Sequence, residues 1–236
     1  IITNYKIPFA DLWVEEAGWE IIKEDGVFYP HGRIPSEPER LPANDNSLPF
    51  PNKKYEIIYA DPPWPYYGDQ KRDCCAGKHY NLMSIDEIKA LDVKSIVAKK
   101  SVCFMWATSS TLPHVSAVMK AWGFNYNNVA WVWAKTRNDG QLMGAAGSRP
   151  TYVKTNNLEY LCVGSTRKNG LSPWKGGSDS GAGMVQLVHE PRLAHSQKPE
   201  RFRELIKELV GNRPRIELFA RGAANEGWDT WGMEAA

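Results

Sequence analysis

From residue 55 onward, short apolar runs alternate with stretches in which apolar residues recur at helical spacing. Runs rich in β-branched and aromatic residues predict buried strands over Tyr55 to Ala60, Ser101 to Ala107, Val129 to Ala134, Glu159 to Val163 and Ile216 to Ala220. Helices are predicted from a capping box at Ser84, over Leu112 to Trp122, and from Pro199 to Gly211. This alternation predicts an α/β fold: a doubly wound, mostly parallel sheet with helices on both faces.

The first fifty residues have a different character. They contain nine acidic and four basic residues, and residues 30–51 hold six prolines, which is typical of an extended connector. Residues 10–25 predict a helix that ends at Gly26, with Leu12, Trp13, Ile21 and Ile22 as its apolar members. We therefore predict an acidic, proline-rich extension over residues 1–50 and an α/β domain over residues 51–236.

Charge is unevenly distributed along the chain. The net charge is +2, so an extension at 4 − 9 = −5 leaves +7 for the remainder. Residues 135–175 hold seven basic residues against two acidic ones, interleaved with Tyr152, Tyr160 and Trp174. Basic side chains among aromatics favour a polyanion with stackable bases, and a solvated loop face is the alternative. The candidate substrate contacts here are Lys135, Arg149 and Lys154.

Other function classes find little support. No apolar run approaches the ~18 residues that a membrane span needs, and the start of the chain lacks the pattern of a signal peptide. Cys103 and Cys162 sit within apolar runs, as small buried hydrophobes do. Cys74 and Cys75 lie near His79, but no C-x-x-C pair accompanies them, so no metal site is predicted. These features indicate a reduced, intracellular protein that does not bind membranes.

The segment Asp61-Pro62-Pro63-Trp64 follows the first predicted strand of the domain. Ligands of open α/β sheets bind at the carboxyl ends of strands. An exocyclic amino group is a poor nucleophile, and two acceptors on its N–H bonds would free its lone pair. The Asp61 carboxylate and a proline carbonyl would supply them, and Trp64 offers a face for an extruded base. The alternative is a turn in which Asp61 caps a backbone amide and Trp64 packs in the core.

Several further segments accompany this motif: His79-Tyr80 with Met83-Ser84, Phe104 to Ala107, His195 to Pro199, and Glu217 to Arg221 ahead of Gly227-Trp228. Together with Tyr59 to Trp64, they resemble the adenine-amino methyltransferases that carry a DPPW signature. That family includes the catalytic subunit of the eukaryotic messenger-RNA adenosine methyltransferase and many bacterial and phage enzymes. The resemblance extends from about Asp45 to Trp231.

The resemblance implies a Rossmann-like methyltransferase domain over residues 51–236. It also implies circular permutation, with the catalytic motif ahead of the cofactor-binding half, and S-adenosylmethionine as cofactor. By motif, the catalytic residues would be Asp61, Pro62, Pro63 and Trp64. The cofactor-binding residues would be Asp45, Asn46, Asp61, Lys198, Glu217 and Arg221. The substrate-binding residues would be Trp64 and Tyr80, the latter on a loop that covers the target base.

Two of these positions also have an interpretation from the residues alone. Lys198 precedes a predicted helix start, where an anion is favoured. Glu217 lies inside an apolar strand, where a carboxylate without partners would be costly. Two segments depart from the family pattern: Gly222-Ala223-Ala224 and Trp231-Gly232-Met233-Glu234. Both would remove side-chain contacts to the cofactor ribose, which bears on affinity more than on chemistry.

The resemblance implies methylation of the adenine amino group in DNA, giving N(6)-methyladenine, because stand-alone chains of this type resemble bacterial or phage enzymes. Methylation of RNA adenosine is the close alternative. A catalytically inactive nucleic-acid-binding subunit is another, and amide methylation on a protein a weaker one. The partners expected are DNA or RNA, with a homodimer or a second methyltransferase-like subunit as the assemblies to consider. The location expected is the cytoplasm of a bacterial or phage-infected cell, or the nucleus of a eukaryotic one.

Overall fold

The computed structural model describes residues 20–24, 27–31, 49–65, 82–144, 157–170, 172–174, 183–193, 197–222, 225–232 and 234–235. Residues 20–24, 27–31, 221–222 and 234–235 are described by their backbone alone. The chain divides into two compact units, Ile1–Ala43 and Asn44–Ala236. None of the helices in these ranges is long and apolar enough to cross a membrane.

The first unit contains a β-hairpin of β1 (Glu20–Glu24) and β2 (Val27–His31), paired antiparallel from Glu24↔Val27 outward. The helix predicted over residues 10–25 is therefore wrong at residues 20–24. Residues 10–19 lie outside the described residues. The two strands are separated by two residues, Asp25-Gly26, a sequence strongly preferred in tight hairpin turns. That signal, together with β-branched residues on both sides, outweighs the helical spacing of the apolar residues.

The second unit alternates strands and helices. Its elements are β3 (Tyr55–Ala60), α1 (Ile85–Ala90), a 3-10 turn (Val93–Ile96), β4 (Val97–Ala107), α2 (Leu112–Ala121), β5 (Asn125–Thr136), β6 (Leu158–Ser165), β7 (Leu187–Pro191), α3 (Arg201–Val210), β8 (Arg215–Leu218), β9 (Arg221–Gly222), β10 (Asp229–Trp231) and β11 (Glu234–Ala235). Each strand predicted in this unit is confirmed, with ends shifted by a few residues. Strands β7, β9, β10 and β11 were not predicted.

Seven strands form one sheet in the order β10-β8-β3-β4-β6-β5-β7. Its neighbours are parallel except at β6, which runs antiparallel to both β4 and β5. The predicted doubly wound, mostly parallel sheet is therefore confirmed. Because β6 runs the other way, its first residues lie at the same sheet edge as the last residues of the parallel strands. This edge, which we call the carboxyl edge, carries the candidate site.

Alternate residues of the central strands enter two separate cores. On one face, Ile58, Cys103 and Met105 pack with residues of α1 and α2. On the other face, Tyr59, Phe104 and Trp106 pack with residues of α3; this core includes Trp131, Trp133, Leu161, Phe202, Leu205, Ile206 and Trp228. Helices on both faces thus confirm the layered arrangement that the sequence predicted.

Local signals fix the helix ends. Ser84 Oγ accepts a hydrogen bond from the Glu87 N–H, and the Ser84 N–H donates to the Glu87 carboxylate at 2.6 Å. This is the predicted capping box at the start of α1. Gly123, with φ +92°, follows α2, and Gly211, with φ +77°, ends α3. Both conformations favour glycine because a side chain would be strained there.

Candidate active site

The loop Asp61 to Trp64 follows β3 at the carboxyl edge, between β8 and β4 in the sheet. Pro62 and Pro63 are buried. The Pro62 carbonyl accepts from the Trp64 N–H at 2.8 Å, and the Pro63 carbonyl accepts from the Met83 N–H at 2.9 Å. Since a carbonyl oxygen has two lone pairs, either proline can accept a second hydrogen bond. The loop is therefore held by backbone hydrogen bonds, and its proline carbonyls keep acceptor capacity.

Trp64 is half-buried and packs against the core on the α1 and α2 face. Its indole Nε1–H donates to the Trp106 carbonyl at 2.8 Å. That bond fixes the ring relative to the end of β4. Trp64 thus packs against the core, as the structural alternative predicted. Because the residue is only half-buried, part of it remains accessible to a ligand.

A chain of ion pairs crosses the carboxyl edge. Lys198 Nζ lies 2.7 Å from Asp61 Oδ2 and 3.2 Å from Glu159 Oε2. Glu159 Oε1 in turn lies 2.5 Å from Lys135 Nζ. The Lys198 side chain is 9% exposed and those of Glu159 and Lys135 are 15% exposed, whereas that of Asp61 is 24% exposed. We call Asp61, Lys198, Glu159 and Lys135 the charge chain; its signs alternate and its most accessible member is Asp61.

Within the charge chain, burial and the neighbouring charges shift the pKa values in opposite directions. Burial alone would lower the pKa of Lys198, but Asp61 and Glu159 raise it well above its ordinary value. Burial alone would raise the pKa of Glu159, but Lys198 and Lys135 hold it below its ordinary value. Lys198 and Glu159 therefore both stay ionised because of their neighbours, as is usual for buried ions that are paired.

Lys198 packs over the ring of Trp106, which is in turn hydrogen-bonded to Tyr59. Its ammonium lies 5.5 Å from the centre of the Trp106 ring, within the range of a cation–π contact. The Trp106 indole N–H donates to the Tyr59 hydroxyl at 2.7 Å, so the ring cannot rotate freely. Burial raises the pKa of Tyr59, which keeps that hydroxyl protonated. The lysine thus rests on a fixed surface built from β3 and β4.

Glu217, on β8, is buried against α3. Arg203 donates from Nε and Nη2 to the two carboxylate oxygens at 2.8 and 2.7 Å, a bidentate pair. Burial alone would lower the pKa of Arg203, but the hydrogen bonds to Glu217 raise it. Arg203 also pairs with Glu200 at 2.8 Å. The partner that a buried Glu217 requires is therefore supplied by the protein, and its contact with a cofactor stays a prediction.

The turn after β8 has an unusual backbone. Phe219 has φ +62°, a left-handed conformation that is uncommon for a bulky residue. Its N–H donates to the Trp231 carbonyl at 2.7 Å, and its ring meets Trp231 edge-on at 5.6 Å. A Cβ added to Gly232 would lie 3.0 Å from Phe219 Cα. Such strained turns concentrate at functional sites. The sequence singled out the segment Glu217 to Arg221 but did not reveal its left-handed backbone.

The structure brings some predicted site residues together and leaves others undescribed. Asp61, Pro62, Pro63, Trp64 and Lys198 meet at the carboxyl edge. Arg221 lies on β9, where only its backbone is described. Asp45, Asn46, Tyr80, Arg149 and Lys154 lie outside the described residues, as do Cys74, Cys75 and His79. Within the described ranges, no group of three or more His, Cys, Asp or Glu could hold a metal.

Two site residues were missed from sequence. Glu159 was assigned only to a strand, and Arg203 only to a helix. For Glu159, the available signal was an acidic residue within an otherwise apolar strand, as for Glu217. Lys135 was assigned to phosphate contacts, and the structure pairs it with Glu159.

Comparison with known proteins extends these observations. A family model described as MT-A70 matches residues 55–234. The Type II methyltransferase M.MunI from Mycoplasma sp is 32% identical over 202 residues, which cover 78% of this chain and 79% of that protein.

Two eukaryotic relatives are more distant. The N6-methyladenosine RNA methyltransferase MTA1 from Cryphonectria parasitica is 27% identical over 216 residues, 89% of this chain and 58% of that protein. The N(6)-adenosine-methyltransferase non-catalytic subunit METTL14 from Drosophila melanogaster is 25% identical over 189 residues, 77% of this chain and 46% of that protein. The chain thus spans about half the length of these two relatives. From the match over residues 55–234 and the likeness to M.MunI, this chain belongs to the MT-A70 family.

Proposed function

We propose that this protein transfers a methyl group from S-adenosylmethionine to the exocyclic amino group of adenine in DNA, giving N(6)-methyladenine. The observation that carries the proposal is the paired Asp61 carboxylate at the carboxyl edge, 2.7 Å from Lys198, on a loop whose prolines keep acceptor capacity. The relative M.MunI, a Type II methyltransferase, supports DNA as the substrate.

The residues at the carboxyl edge fit this cofactor. S-adenosylmethionine carries an α-carboxylate and a sulfonium, and when bound it supplies an electrophilic methyl group. Lys198 has three N–H donors, and among the described residues Asp61 and Glu159 take two of them. The third donor suits the carboxylate, and the negative charge of Asp61 suits the neighbourhood of a sulfonium. Glu217 and Arg221, with Asp45 and Asn46, are the further residues that we propose to hold the cofactor.

Asp61 and a proline carbonyl would act on the substrate amine. Each accepts a hydrogen bond from one N–H, which draws the nitrogen toward tetrahedral geometry and localises its lone pair. Asp61 and the proline carbonyl would thereby prepare the nitrogen to take the methyl group that bound S-adenosylmethionine would supply, with the sulfur as leaving group and one N–H proton passing to solvent. Trp64 would carry the stacked base, and Tyr80 would lie on the loop that covers it.

Two alternatives retain specific support. The relative MTA1 is an RNA methyltransferase, so RNA adenosine is the second candidate substrate. METTL14 is a non-catalytic subunit, so an inactive nucleic-acid-binding role is the third. The intact Asp61-Pro62-Pro63-Trp64 segment and the Asp61–Lys198 pair favour an active enzyme over that third role. We also propose that residues 51–236 form the methyltransferase domain and residues 1–50 an extension to it.

The test is methyl transfer from labelled S-adenosylmethionine to matched DNA and RNA oligonucleotides, each with and without adenine. We expect label in adenine-containing DNA, recovered as N(6)-methyladenine after digestion. Label in RNA alone would assign the protein to RNA. An absence of label in every oligonucleotide, with retained nucleic-acid binding, would assign it to the inactive role.

A further inference from the structure

We propose that Glu159 and Lys135 are positioning residues for this reaction: Lys135 fixes Glu159, and Glu159 holds the Lys198 ammonium beside Asp61. The inference rests on the proposed function. It gives Lys135 a role at the carboxyl edge. The sequence had instead predicted a phosphate contact, because Lys135 lies in a basic stretch. The inference also assigns a role to Glu159, which no sequence motif singled out.

The sheet topology brings these residues together. Because β6 is antiparallel to its neighbours, Glu159 near its start lies level with the ends of β4 and β5. Glu159 stands opposite Trp133 in the register, so Lys135 is its diagonal neighbour on the same face. Lys198 reaches the same place from the segment that precedes α3. Residues distant in sequence therefore converge through the reversal of one strand.

Lys198 needs Glu159 for its position. An ammonium this deeply buried is stable only with counter-charges and hydrogen-bond acceptors. If Asp61 were its sole acceptor, that carboxylate would carry the whole charge of the lysine while also accepting from the substrate amine. With Glu159 at 3.2 Å, the ammonium is shared between two carboxylates. Glu159 therefore leaves Asp61 more able to accept a hydrogen bond from the substrate.

Lys135 forms an ion pair with Glu159 and is largely buried there. Its ammonium lies 2.5 Å from Glu159 Oε1 and 4.9 Å from the centre of the Trp133 ring, and its side chain is 15% exposed. A lysine that neutralises a phosphate keeps its ammonium in solvent, where its flexible stem can follow the backbone of the nucleic acid. To reach a phosphate, Lys135 would have to leave the nearly buried Glu159 carboxylate without the closer of its two ammonium partners, which is costly.

The experiment combines a double-mutant cycle with a salt titration. Single-turnover methylation would be measured for Glu159→Gln, Lys135→Met and Lys198→Met, and for Glu159→Gln and Lys135→Met each combined with Lys198→Met. We expect Glu159→Gln and Lys135→Met to slow the reaction on the order of tenfold to a hundredfold, the range found when the hydrogen-bond partners of metal ligands are removed. In the Lys198→Met background, neither should slow it further, because both act through Lys198.

The salt titration separates positioning from phosphate contact. Lys135→Met should leave the log–log dependence of oligonucleotide affinity on salt unchanged. A slope smaller by about 0.7–0.9 would mean that Lys135 neutralises a phosphate, which overturns its assignment. Equal losses from Glu159→Gln with and without Lys198 would overturn the assignment of Glu159. The matched control is Glu56→Gln, which removes a β3 carboxylate paired with Arg213 at 3.1 Å and should leave the rate unchanged.

An activity-independent readout keeps the two proposals separable. Nitrogen-15 NMR of the lysine ammonium groups should show a Lys198 signal that shifts in Glu159→Gln and Lys135→Met and stays in place in Glu56→Gln. A wild-type protein that methylates no nucleic acid would refute the proposed function, and the NMR result would still decide the positioning. If Glu159→Gln does not fold, Lys135→Met carries the same test. An unshifted signal there would overturn the inference.

Discussion

Lys198 Nζ lies 2.7 Å from Asp61 Oδ2, so a buried ammonium and the most accessible member of the charge chain form one unit. The Lys198 ammonium holds this carboxylate, and backbone hydrogen bonds hold the loop that carries it, before any substrate arrives. Preorganised acceptors of this kind need little rearrangement during reaction, which is the main advantage of a folded site over water. The pair also joins the loop Asp61 to Trp64 to the segment that precedes α3, and these two segments are separated in the sequence by more than half of the domain.

Asp61→Asn should slow methyl transfer strongly while leaving the fold intact. The substitution keeps the shape of the side chain but replaces a charged acceptor with a neutral amide. Loss of one preorganised group costs about 2.7–4 kcal/mol of transition-state stabilisation, a decrease of roughly a hundredfold to a thousandfold in rate. Single-turnover kinetics at saturating cofactor measure this directly. Asp86→Asn is the control, since Asp86 pairs with Lys89 on an exposed helix face. A near-normal rate in Asp61→Asn would remove Asp61 from the chemistry.

Lys198→Met should weaken binding of S-adenosylmethionine. A charge-assisted hydrogen bond to the cofactor carboxylate contributes on the order of 1.5–3 kcal/mol, about a tenfold to a hundredfold change in Kd. Titration calorimetry gives the affinity without any need for turnover. Lys120→Met removes an exposed lysine from α2 and should leave the affinity unchanged. Equal affinities for wild type and Lys198→Met would mean that the cofactor carboxylate binds elsewhere.

The apolar runs made the sheet predictable, because buried parallel strands such as Tyr55–Ala60 have few other interpretations. The hairpin of β1 and β2 was missed because apolar residues at helical spacing were given more weight than the Asp25-Gly26 turn signal. The loop Asp61 to Trp64 was predictable because its chemistry is local in sequence. The place of Glu159 was not, because it depends on the reversed direction of β6, which periodicity does not reveal.

The charge chain should make the free energy of unfolding depend on pH in the acid range. A glutamate in the unfolded chain has a pKa near 4.3. Burial would raise the pKa of Glu159, but Lys198 and Lys135 hold it lower, so the unfolded state binds more protons in acid. The stability from this group is present above about pH 4.3 and is lost as pH falls through the folded pKa.

Urea unfolding from pH 7 to pH 3 measures this dependence. Glu159→Gln should lose less stability than wild type over that range, because one proton-linked group has been removed. The raised pKa of Lys198 acts at the other end: its contribution persists below the unfolded value near 10.4 and disappears only as pH rises through the folded value. Parallel acid curves for wild type and Glu159→Gln would show that Glu159 is not held ionised by its partners.

The target adenine should leave its stack and rest against Trp64. In a duplex the amino group is engaged in base pairing, so Asp61 and a proline carbonyl cannot both reach it there. Trp64 is suited to receive the base because its ring is fixed in place. Its indole Nε1–H donates to the Trp106 carbonyl, at the end of β4, with a distance of 2.8 Å between the nitrogen and the oxygen. Stacking on an aromatic side chain contributes ~1–3 kcal/mol per base, which offsets part of the few kcal/mol that extrusion costs.

Two measurements follow from that balance. Oligonucleotides whose target adenine is mismatched or single-stranded should react at least as fast as perfect duplexes, because less energy is needed to extrude the base. A 2-aminopurine at the target position should change its fluorescence on binding, and the change should shrink in Trp64→Leu, which keeps an apolar side chain against the core but has no ring. The same probe placed at a non-target position is the control and should respond equally to both proteins. If paired duplexes react far faster than every unpaired substrate, the cost of extrusion does not limit the reaction. If the target signal is the same with and without the Trp64 ring, the base stacks on another surface.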